Sequence, residues 1–140
     1  LHHVDLHKAV LEVHRVLKPG GLAVFSDPLD YNPLIKVYDR FASSGLRSDD
    51  ERRLNMNDLK TMRSVFRKVN WIGTDVTALV LFLLYFLYLK FFGKVRLNWY
   101  ESVQEGYKLV NLYTIFNKAD GLLPKTVQLL GWRVVIGCRK

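Results

Sequence analysis

The chain is poor in cysteine: Cys138 stands alone among 140 residues. A single thiol excludes an internal disulfide framework and makes a reducing compartment, the cytoplasm, the expected setting. Cys138 follows Val134, Val135 and Ile136, which suits a buried thiol better than a nucleophile. Acidic residues are also scarce, 13 Asp and Glu against 21 Lys and Arg, for a formal net charge of +8. That excess favours anionic partners, such as phosphate-bearing small molecules or an acidic membrane face. The basic residues are scattered rather than interleaved with aromatics, so nucleic acid is not an expected partner. Internal repeats and low-complexity tracts are missing. No Gly-x-Gly-x-Gly occurs anywhere, so the chain lacks the loop that brings backbone N–H groups close to a cofactor at a helix start. The histidines do not suggest a metal site: His3 precedes the first helix cap, and His7 and His14 stand two turns apart.

What is present is enough apolar material for one domain, 49% of residues. Asp5 reads as an N-cap for a helix whose stripe is Leu6, Ala9, Val10, Val13, Val16 and Leu17. Pro19-Gly20-Gly21 ends it, since proline cannot continue the ladder and glycine tolerates a left-handed stop. Leu22-Ala23-Val24-Phe25 then reads as a short central strand, apolar on both faces. Pro28 and Pro33 bracket a loop at its carboxyl end, and Leu34, Val37, Tyr38 and Phe41 restart a helical pattern. Residues 43–53 are polar and read as a loop. Asn55 or Asn57 can cap a helix with Leu59, Met62, Val65 and Phe66 on its apolar side, followed by a strand over about 69–74. A long apolar segment occupies 76–92, a further helix is expected over about 101–117, and Pro124 opens a short one reaching Leu130. The segment 132–138 closes the chain as a strand.

The opening Leu1-His2-His3, the helix, Arg15-Val16-Leu17-Lys18-Pro19-Gly20-Gly21 and the strand ending in Asp27-Pro28 together resemble the second half of class I S-adenosylmethionine-dependent methyltransferases. The small-molecule "type 11" group is the nearest likeness. The resemblance covers residues 1–75 and, less fully, 124–140, with 76–123 as a hydrophobic helical insertion or lid. It implies an α/β fold: the last strands of a partial Rossmann-like methyltransferase sheet, the final one antiparallel and inserted between the two before it. It also implies that an amino-terminal half of the same domain, bearing the glycine-rich cofactor loop, is a required partner. The isolated chain is then expected to bind S-adenosyl-L-methionine weakly or not at all.

By the same resemblance Leu1, His2 and His3 would line the cofactor pocket. Asp27 would sit on the acceptor side, where the family often has Glu-Pro, and Tyr31 and Asn32 lie in a loop able to touch the acceptor. No residue is assigned as catalytic. Methyl transfer from a sulfonium depends mainly on alignment and desolvation, with a base needed only if the acceptor loses a proton. Duller roles stand beside each of these: histidines that cap or hydrogen-bond a carbonyl, a turn aspartate before proline, a half-buried loop tyrosine. From Val76 to Leu89 there is no charge, and about seventeen residues span roughly 26 Å. Three arrangements stay open for it: an interfacial or lipid-facing lid, a buried core helix, or a membrane span. A lid would make the small-molecule acceptor lipid-like and allow peripheral membrane contact. The rival reading is a non-catalytic, membrane-associated or partner-binding remnant.

Overall fold

A computed structural model describes residues 1, 3–36, 52–92 and 110–140. His2, Val37, Tyr38 and Phe41, the polar stretch from 43 to 51, and the first part of the helix expected over 101–117 lie outside the described residues. The architecture is α/β, an open three-stranded sheet with helices. In chain order the elements are α1 (Leu6–Val16), β1 (Leu22–Pro28), α2 (Met56–Val65), β2 (Lys68–Thr74), α3 (Val76–Phe92), α4 (Val110–Asp120), α5 (Lys125–Gln128) and β3 (Arg133–Arg139).

The closing strand lies in the middle. β3 pairs antiparallel with β1, Leu22 opposite Arg139 through Pro28 opposite Arg133. It pairs antiparallel with β2 on its other side, Lys68 opposite Arg139 through Thr74 opposite Arg133. β1 and β2 therefore point the same way, and their carboxyl ends meet the start of β3 at one edge of the sheet. Strand alternation puts Val134, Ile136 and Cys138 on one face, all fully buried, with Ala23, Phe25, Val69 and Trp71 beside them. Leu6 and Val10 of α1 and Leu59 and Met62 of α2, with Phe66 just beyond it, close over that face.

The opposite face corrects the expectation of a central β1. Leu22 and Val24 are 57% and 61% exposed, and among the described residues no strand pairs with the outer edge of β1. Among the described residues β1 is thus an edge strand buried on one face.

Local chemistry explains the ends of the helices. Asp5 accepts the Lys8 N–H at 3.1 Å, the N-cap bond of α1. Asn55 and Asp58 form a reciprocal capping box at α2, so of the two candidate asparagines Asn55 is the cap. The turn after α1 needs its glycines differently: Gly20 takes φ 73°, while a Cβ at Gly21 would stand 2.8 Å from the Lys18 carbonyl oxygen. Lys140 Nζ then donates to the carbonyls of His14 at 2.6 Å and Leu17 at 2.9 Å, tying the end of β3 to the negative end of α1. α5 begins directly after Pro124 and is shorter than expected, ending at Gln128. No helix of the described residues is long and apolar enough to cross a membrane.

Candidate functional site

Six polar side chains are buried among the described residues: Asp27, Asn32, Asp58, Asp75, Asp120 and Gln128. All gather around the carboxyl ends of β1 and β2, the edge where open α/β sheets hold their ligands. A buried polar group is costly unless hydrogen-bonded, so the partners of each define what the edge can do.

Around β1 the chain folds back on itself. Leu54 N–H donates to the Pro28 carbonyl at 3.0 Å and Asp30 N–H to the Leu54 carbonyl at 3.1 Å, a parallel bridge that brings the start of α2 to the end of β1. Asp27 is 2% exposed, and its Oδ1 accepts from the Leu1 amino group at 2.6 Å. The structure therefore brings Leu1 and Asp27 together, as two of the expected site residues; in a longer polypeptide the same nitrogen would be an amide N–H donor. His3 is exposed, and His2 lies outside the described residues. The Tyr31 hydroxyl accepts the Met56 N–H at 3.0 Å, which leaves its half-open ring beside the first turn of α2. Asn32 is fully engaged by the fold. Its Oδ1 accepts the N–H groups of Leu34 and Ile35, capping the helical turn at 33–36, and its Nδ2 donates to the Leu130 carbonyl.

An open depression of about 350 Å³ lies between the first turns of α1 and α2, lined by Val4, Asp5, His7, Arg52, Asp58 and Thr61. Arg52 donates to Asp58 in a bidentate fork at 2.7 and 3.0 Å, and these hydrogen bonds raise the Arg52 pKa. Asp58 also accepts the Asn55 N–H at 2.8 Å. The charges in the depression are thus largely satisfied internally.

A second cluster, which the sequence reading missed, stands at the end of β2. Asp75 adopts φ 65°, a left-handed conformation that costs a non-glycine residue about 1 kcal/mol. It is 3% exposed and accepts from Arg133 Nε at 2.7 Å and from the Tyr113 hydroxyl at 2.5 Å, while its own N–H donates to Asn117 Oδ1 at 3.0 Å. Burial alone would raise the Asp75 pKa; the Arg133 and Tyr113 hydrogen bonds outweigh it and hold the carboxyl below its usual value. Burial and the bond to Asp75 push Tyr113 up, which keeps it a donor, and Asp75 pushes Arg133 up. Next to this, the fully buried Asp120 caps α3 from the far end of α4. Its carboxylate accepts Val76 N–H and Thr77 N–H, each at 3.0 Å, and the Thr77 hydroxyl at 2.7 Å. Gln128 completes the collar, donating to the Asp120 and Leu123 carbonyls and accepting from Gly73 N–H. A Cβ at Gly73 would collide with the Gln128 carbonyl oxygen, so glycine is what permits this approach.

Cys138 is buried, and desolvation pushes its thiol up to about 11, which makes it a poor nucleophile. Among the described residues no three His, Cys, Asp or Glu side chains are grouped to hold a metal ion. No protein-family model, curated protein or solved structure matches the chain.

Proposed function

We propose that this chain supplies the carboxyl-terminal part of a class I S-adenosyl-L-methionine-dependent methyltransferase acting on a small, apolar acceptor. One observation carries the reading: the closing strand runs antiparallel between two strands that point the same way, the order that the sequence resemblance implies. Two others support it. Leu1 and Asp27, expected on the cofactor and acceptor sides, are in contact at the carboxyl end of β1. The outer edge of β1, unpaired among the described residues, offers backbone donors and acceptors to a further strand.

In this reading Leu1 and His3 border the nucleoside, Asp27 orients the groups between cofactor and acceptor, and Tyr31 presents its ring toward the acceptor. The S-adenosyl-L-methionine would supply the methyl group; the residues here would position it and exclude water. Asn32, whose amide is committed to Leu130 and to the turn at 33–36, supports the loop that carries Tyr31. The test is the transcript upstream of the Leu1 codon. An in-frame strand followed by Asp-x-Gly-x-Gly, and methyl transfer by that longer product which falls at least about tenfold in Asp27→Asn, are expected. A start codon directly before Leu1, with S-adenosylhomocysteine leaving the Leu1, His3 and Asp27 amide resonances unmoved, would overturn the reading.

A further inference from the structure

We infer that the outer face of α3 docks on the headgroup–acyl boundary of an anionic lipid bilayer. The inference is independent of methyl transfer, since it rests on a different helix and a different chemistry. α3 carries no charge from Val76 to Leu89, so its sequence has no charged stripe of the kind that an ordinary surface helix offers to water. Its first turn is buried, Ala78 at 2% and Leu79 at 8% exposure, but Val80, Leu84, Tyr88, Phe91 and Phe92 are 58–78% exposed. Steps of four residues advance only about 40° beyond a full turn, so these side chains form one slowly winding stripe. Tyr88 and Phe92 stack at 5.7 Å at its far end, and tyrosine is a residue enriched at membrane interfaces.

Charge selects the occupant. Between Asp75 and Glu101 the sequence has no acidic residue, and Lys90, Lys94 and Arg96 fall at the end of its apolar run and just after it. Exposed apolar side chains on a helix, basic residues next in the sequence and a net charge of +8 match the two layers of an anionic bilayer surface, acyl chains below and phosphates above. A second copy of the chain would instead bring together two molecules each carrying a formal net charge of +8. The helix of 17 residues is about 26 Å long against a hydrocarbon core of about 30 Å, which fits an interfacial seat rather than a crossing. The Asp120 collar fixes the buried end of α3 to α4, so the stripe is presented from a held base.

Vesicle flotation of the 140-residue chain tests this, using phosphatidylcholine vesicles with and without phosphatidylglycerol. Flotation with the anionic vesicles is expected, weakened about a hundredfold on phosphatidylcholine alone or in high salt. The double variant Leu84→Glu with Tyr88→Glu should lose binding at least about tenfold while keeping the parent circular-dichroism spectrum, because both positions are exposed. Failure of the parent chain to float, equal binding to neutral vesicles, or equal binding by a folded double variant would overturn the inference. So would a concentration-dependent dimer that the double variant abolishes in a parent chain that does not float.

Discussion

Two regions of this molecule are held together by opposite means. The sheet with α1 and α2 is joined through apolar contact: Val10, Met62, Val134, Ile136 and Cys138 share one core with no water-exposed surface of their own. α3 and α4 are joined to the end of β2 through buried carboxylates and an amide, Asp75, Asp120 and Gln128. The apolar region gains from any good packing, so it tolerates imprecise geometry at modest cost. The polar region gains little from its bonds beyond what the side chains lost in leaving water, yet losing one partner strands the others. The first arrangement supplies stability; the second fixes one position of α3 relative to the sheet.

The largest way to break this contrast is Ile136→Ala. Ile136 is fully buried in the central strand, opposite Phe25 on one side and Trp71 on the other. Truncation should cost about 3 kcal/mol and lower the midpoint of urea unfolding for every probe together. A loss confined to α3 and α4 amides would show that the two regions do not share the sheet as described.

Asp120→Ala should cost less, about 2 kcal/mol, and act locally. It leaves Val76 N–H and Thr77 N–H without their acceptor at a helix start, while the Thr77 hydroxyl keeps the Phe116 carbonyl at 3.0 Å. Amide hydrogen exchange should accelerate in the first turns of α3 and the last turn of α4, with α1 and the Ile136 amide unchanged. Uniform acceleration across the sheet would mean that the collar contributes to global stability rather than to placement.

The same contrast marks how far the sequence could be read. α1, its stop at Pro19-Gly20, a cap at Asn55 or Asn57 and all three strands follow from local periodicity and punctuation, because the groups that determine them lie within a few residues of one another. The central place expected for β1 does not follow: its apolar run fits two buried faces, and pairing partners set which faces are covered. Leu1 and Asp27 are legible as neighbours only through the resemblance, and Asn32 reads as an exposed loop amide although its Nδ2 reaches Leu130. The collar left almost no local signal. Asp120 sits 43 residues from Thr77, and Arg133 sits 58 from Asp75. Thr74-Asp75 before an apolar run is an ordinary N-cap signature, and nothing in it announces that the carboxylate turns instead to an arginine on the central strand.

Asp75→Asn gives the smallest effect and the sharpest one, because it removes the charge and one of two accepting oxygens while keeping the side chain's shape. Asparagine tolerates the left-handed conformation that φ 65° demands and can still accept from Arg133 or Tyr113. Arg133 is about half open to water, 49% at its side chain, so the lost attraction is screened, and about 1 kcal/mol at neutral pH is expected. The sign with pH follows from the lowered Asp75 pKa. The ionised carboxylate contributes fully above the unfolded-state value near 4, and its contribution disappears as pH falls through the lower folded-state value. Parent and variant should therefore differ in urea midpoint at pH 7 and converge as the buffer is taken down through the lowered folded-state value. A gap that stays constant across that range would assign the loss to the geometry of the amide rather than to the Asp75–Arg133 pair. Convergence would establish that the end of β2 is held by charge, in contrast to the apolar core one layer away.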